Sequence, residues 1–130
     1  MKILVGYDGS EAANIALDVA KQHAAAFDGT IHILTSMVGG PMEPVEDIDE
    51  AKAGLLHAST SIKKADIPCE EHLFIRGNEP GEDLVQYAED NDIDEIIIGV
   101  IKKSKMDKFL FGSTAQYVIL HASCPVVTVK

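Results

Sequence analysis

Apolar and polar positions alternate along this chain in two distinct rhythms. Ile3-Leu4-Val5 and Ile96-Ile97-Ile98 are continuous apolar runs, the pattern of strands buried on both faces. Ile31-His32-Ile33-Leu34 opens another strand that extends to about Val38. Cys69 to Ile75 gives a third with mixed alternation, and Pro125 to Val129 a last one. Between them the period lengthens to that of helices. Ala13, Ile15, Ala16, Leu17, Ala20, Ala24 and Phe27 form one apolar stripe, and Ala51, Leu55, Leu56, Ala58 and Ile62 a second. Leu84, Val85 and Ala88 mark a third helix, and Ala115 to His121 a short fourth.

Boundary chemistry sharpens these assignments. Ser10 is a good N-cap for the first helix, and Asp28-Gly29 closes it. Asp47 with Glu50 three residues later predicts a capping box at the start of the second helix. Gly39-Gly40-Pro41 breaks the second strand, and residues 42–47 read as an acidic loop. Strands and helices alternate throughout, with no internal repeat. That order predicts a single α/β domain built on a parallel sheet, with helices on both faces.

Composition narrows the function. At 130 residues, 46% hydrophobic and without Trp, the chain can bury one aliphatic core. A formal net charge of -10 argues against a broad basic face for nucleic acid or an anionic membrane. No apolar run approaches the roughly 20 residues of a membrane span. Met1 leads directly into the first strand, so no targeting segment is expected. Cys69 and Cys124 lack C-x-x-C spacing and read as reduced, buried thiols of a cytoplasmic protein.

Against this acidic background, GVIKKSKMDKFLFGST (Gly99 to Thr114) gathers Lys102, Lys103, Lys105 and Lys108. Gly99 ends a buried strand, where a glycine allows close backbone approach. Gly112-Ser113-Thr114 opens a helix, whose free N–H groups attract anions. A phosphate group fits this pattern, and so does a solvated lysine loop. The P-loop and the dinucleotide-binding glycine motif are both absent. The turn after the first strand, Gly6-Tyr7-Asp8-Gly9-Ser10, instead carries a carboxylate suited to a ribose hydroxyl or an adenine amine.

Enzymatic readings find little support. Phosphoryl transfer requires a set of metal-binding carboxylates, and Glu46, Asp47, Asp49 and Glu50 read as a solvated acidic cap. His23, His32, His57, His72 and His121 show no zinc-motif spacing. Phe74-Ile75-Arg76-Gly77-Asn78 offers no phosphoacceptor aspartate after the third strand, which removes a receiver domain.

Over its whole length the chain resembles the universal stress protein family. ILVGYDGSEAANIALDVA resembles the family's first strand, Asp-bearing turn and first helix. GNEPGEDLVQYAEDNDIDEIIIGV resembles its third helix and fourth strand, and GSTAQYVILHASCPVVTVK its last helix and strand. The nucleotide-binding branch carries G-x2-G-x9-G-[ST]. Here the frame is Gly99, Lys102 in place of the middle glycine, then Gly112-Ser113.

The resemblance implies a strand order of 3-2-1-4-5 and an adenine nucleotide site holding ATP, or ADP or AMP, with Mg as a possible companion. By that resemblance Gly6, Tyr7 and Asp8 meet the adenosine part, and Ser36 or Met37 lines the adenine pocket. Gly99 lies under the ribose and phosphates. Gly112, Ser113 and Thr114 hold the phosphates, with Lys102 and Lys103 adding charge. It also implies a homodimer through the last strand, residues 125–130, whose uncharged edge invites pairing. Two readings stay open. One is a dimeric, nucleotide-responsive stress regulator. The other is a nucleotide-independent interaction module with a degenerate phosphate loop, its lysines facing an unidentified protein partner.

Overall fold

A computed structural model describes residues 1–41, 43–100 and 112–130. Nine elements alternate along it: β1 (Lys2–Gly6), α1 (Glu11–Phe27), β2 (Thr30–Met37), α2 (Val45–Lys64), β3 (Cys69–Ile75), α3 (Pro80–Asp90), β4 (Glu95–Gly99), α4 (Ser113–His121) and β5 (Val126–Val129). The five strands form one sheet in the order β3-β2-β1-β4-β5. Every pairing is parallel, so the expected fold class and strand order hold.

Strand periodicity divides the interior into two cores. Ile3, Val5, Ile31, Ile33 and Ile97 point toward α1 and α2, against Ala16, Ala20, Leu55 and Ile62. Leu4, Leu34, Ile96 and Ile98 point the other way, toward Leu84, Ala88 and Val118 of α3 and α4. The small residues Ala13, Ala16, Ala20 and Ala24 let α1 lie close on the sheet. Burial of each large aliphatic side chain contributes about 1.5–3 kcal/mol, and truncating Ile33 to Ala would cost about 2–5 kcal/mol.

Helix ends follow the local chemistry, with one correction. Ser10 caps α1 by accepting from the Ala13 N–H at 3.1 Å, and Asp28 ends it in the left-handed region at φ 53°. The second helix starts at Val45 rather than at an Asp47 cap. Its N-cap is Pro44, whose φ of -63° presets the entry, and among the described residues no side chain caps it. Asp47 and Glu46 instead occupy the first turn, favourably placed against the helix dipole.

Three expected core residues face water, Ile15 at 36% exposure among them. Phe27, the last residue of α1, is 63% exposed. Leu56 is 61% exposed, because it lies about 100° around the helix from Leu55, which is buried. Both cysteines are half-buried, and burial pushes the Cys69 thiol up to about 11. Among the described residues, no helix is long and apolar enough to cross a membrane.

Candidate functional site

The chain runs from β1 to β2 on one side of the sheet, while β4 pairs with β1 on the other. This reversal opens a crevice beyond the carboxyl ends of β1 and β4, the usual ligand position in open α/β sheets. The Tyr7–Ser10 turn forms its floor. The Tyr7 N–H donates to Leu34 O at 2.9 Å, and Thr35 Oγ1 donates to Tyr7 O at 2.7 Å. Tyr7 Oη donates to Asn14 Oδ1 at 3.0 Å. Burial raises the Tyr7 phenol, the Asp8 charge adds to this, and the Asn14 hydrogen bond opposes it.

Asp8 is exposed. Its Oδ1 accepts from the Ser10 N–H at 2.9 Å, closing an Asx turn, and Gly9 takes a φ of 80° to complete the bend. Among the described residues the second carboxylate oxygen has no hydrogen-bond donor.

On the opposite wall, α4 begins at Ser113 after Gly112. Among the described residues no side chain caps this end, and no acidic residue occupies its first turn. Its free N–H groups therefore present positive potential to the crevice. Gly99 is glycine for a packing reason: a Cβ there would sit 2.6 Å from the Ala12 carbonyl carbon. At Gly112, by contrast, no atom of the described residues lies within 4 Å of an added Cβ.

The rim is braced from below. Asp83, fully buried, accepts from Ser36 Oγ at 2.6 Å, Arg76 Nε at 2.8 Å and Asn78 Nδ2 at 3.0 Å. Burial alone would raise the Asp83 carboxyl, but these hydrogen bonds outweigh it and hold the group below its ordinary value.

Two hollows result. One, of about 230 Å³, is lined by Gly6, Tyr7, Asp8, Ser36 and Gly99, and on the far side by Gly112, Ser113 and Thr114. The other, of about 570 Å³, lies toward α2. It shares Tyr7, Asp8 and Ser36, and adds Met37, Asp47, Glu50 and Gly54. The described site candidates thus converge on one region, with Met37 on the α2 side alone. Lys102 and Lys103 lie outside the described residues.

Asp47 and Glu50 were read from sequence as a solvated helix cap, yet they line the second hollow. Their i, i+3 spacing puts them on one helix face. Gly54, an otherwise unfavourable mid-helix glycine, was the available signal that this face approaches something. An added Cβ there would lie 3.6 Å from the Tyr7 ring.

Comparison with known proteins places this geometry. A universal stress protein of Methanocaldococcus jannaschii is 31% identical, over 99% of this chain and 81% of its own length. The solved universal stress protein of Archaeoglobus fulgidus superposes with a TM-score of 0.91 at 39% identity, covering 100% of this chain and 98% of that one. A structure of the Archaeoglobus fulgidus protein in complex with dAMP superposes at 0.83 with 37% identity, again over 100% and 98% of the two chains. The Universal stress protein family matches residues 1–130. With the sheet order, the Asp8 turn and the open α4 terminus in place, the chain belongs to the universal stress protein family.

Proposed function

We propose that this protein binds an adenine nucleotide, ATP or a close relative, in the β1/β4 crevice and serves as a stress-related regulatory factor. The observation that carries this reading is the opposition of Asp8 and the uncapped α4 terminus across one hollow. The dAMP complex of the Archaeoglobus fulgidus relative supports it.

Electrostatics supplies an orientation. Carboxylates of Asp47 and Glu50 line the α2-side hollow, where they would repel phosphate and accept from an adenine amine or ribose hydroxyl. The α4 N–H groups and the hydroxyls of Ser113 and Thr114 suit phosphate. Adenine therefore belongs toward Met37 and α2, with the phosphates toward Gly112. Together the hollows fall within the size range of small-ligand sites, about 300–1,000 Å³.

The test is direct. Purified protein is denatured and any released nucleotide identified by mass, and the apo protein is then titrated with Mg-ATP by calorimetry. Released adenine nucleotide or a micromolar constant supports the proposal. Neither release nor heat at millimolar ATP would favour a nucleotide-independent interaction module.

A homodimer through β5 belongs to the same reading. β5 is an edge strand whose described partner is β4. Ile96 N–H donates to Pro125 O and Val100 N–H to Val129 O, so odd-numbered β5 residues turn their backbone toward β4. Val126 and Thr128 consequently turn theirs to the open edge, ready to pair with a second copy.

A further inference from the structure

On the α3 face of the sheet, in the amino-terminal half of β2 and β3, His32, Glu70 and His72 converge. His32 pairs in register with Glu70, and His72 lies two residues further along β3 on the same face. One ligand atom from each lies within 4.8 Å of the others. Glu70 carboxylate oxygens stand 3.6 Å from His32 Nε2 and 3.8 Å from His72 Nε2. We propose that these three side chains form a binding site for a borderline divalent metal ion of the Zn²⁺ type, separate from the crevice.

The environments of the two imidazoles support a metal over a simple ion pair. Among the described residues, His72 Nε2 is a buried side-chain nitrogen with no hydrogen-bond partner. Its 3.8 Å approach to Glu70 is too long for a hydrogen bond. His32 is 4% exposed, and its Nδ1 lies 2.6 Å from Tyr87 Oη. Ligation through Nε2 leaves Nδ1–H to donate to that phenol oxygen, the outer contact that orients a metal-bound histidine.

Ligand distances of about 2.0–2.1 Å in a tetrahedral site put donor atoms about 3.4 Å apart. Each imidazole meets a different Glu70 oxygen within a few tenths of an ångström of this, and one ligand atom from each of the three residues lies within 4.8 Å of the others. Glu70, whose side chain is 58% exposed, can adjust its rotamer, small rotations of the imidazoles close the rest, and a coordination position stays open to solvent. Two imidazoles and one carboxylate select Zn²⁺ or a similar ion over Mg²⁺ or Ca²⁺, which prefer oxygen donors. The sequence concealed the set because its members lie on two strands, outside any local zinc motif.

The full-length chain, stripped with a chelator, is titrated with ZnCl2 against a chromophoric competitor. One Zn²⁺ per chain is expected. Glu70→Gln and His72→Ala should each weaken binding at least tenfold, while His57→Ala, on the exposed face of α2, leaves it unchanged. No stoichiometric binding, or equal binding by His72→Ala and wild type, overturns the proposal. Nuclear magnetic resonance of the wild-type imidazoles keeps the test independent of how the variants fold. One equivalent of Zn²⁺ should shift His32 and His72 resonances and not those of His57; shifts confined to other histidines overturn it.

Discussion

Ser36 Oγ donates to Asp83 Oδ2 at 2.6 Å, tying the rim of the crevice to a carboxylate with no solvent exposure. Arg76 and Asn78 share the other oxygen, so this one side chain joins β2, the β3–α3 turn and α3. Asp83→Ala removes all three hydrogen bonds and leaves the Ser36 hydroxyl without its acceptor. A loss of about 2–4 kcal/mol is expected, discounted for the partial exposure of Arg76. Urea unfolding monitored by circular dichroism measures it, and a change under about 0.5 kcal/mol would contradict the bracing role.

The same carboxylate links stability to acid. Its folded-state pKa lies below the ordinary value, so the unfolded chain binds the proton more readily. Its contribution is complete above the unfolded pKa of about 3.9 and is lost as pH falls below that through the folded value. Asp83→Asn should therefore lose stability less steeply than wild type below about pH 4. Parallel slopes in urea midpoints would show that Asp83 does not carry this linkage.

Gly99 and Gly112 flank the same hollow for different reasons. Gly99→Ala drives a methyl group to 2.6 Å from the Ala12 backbone, and α1 must shift to admit it. Overpacking of this kind costs about 1–3 kcal/mol, and thermal unfolding should show it. Gly112→Ala meets no atom of the described residues within 4 Å at a φ of -57° and should leave stability within about 0.5 kcal/mol. A drop in nucleotide affinity with Gly112→Ala would then report ligand approach alone.

Asp8→Ala removes the carboxylate at the junction of the two hollows. Loss of one hydrogen bond to a charged acceptor, about 1.5 kcal/mol, corresponds to roughly tenfold weaker nucleotide binding. Asp8→Asn keeps an acceptor for the Ser10 N–H and should weaken binding less. Calorimetric constants equal to wild type in both variants would remove Asp8 from the site.

Thr128→Pro deletes a donor on the open edge of β5 and spares the ladder to β4. If two copies pair through this edge, sedimentation should show a dimer for wild type and a monomer for the variant. An unchanged dimer would move the interface elsewhere.

Much of the architecture was legible in the chain. Apolar runs such as Ile96-Ile97-Ile98 can be satisfied only by strands covered on both faces. Ser10 and Asp28 marked the ends of α1 through their own local hydrogen bonding and backbone preference. The turn at Asp8 and the opening of α4 were readable because local chemistry defines them. Features that depend on neighbours distant in sequence were not. The second-helix cap was misplaced because Pro44, not the Asp47 pattern, sets its entry. Gly99 was read as a ligand glycine and does line the hollow, but the packing of Ala12 against it was not legible. The Asp83 brace and the His32–Glu70–His72 cluster required strand register, which brings together residues 38 or more positions apart. Hydrophobic period and turn chemistry are local and survive in one dimension. Close approach between distant segments, and the charge environment it creates, arises only when the sheet assembles.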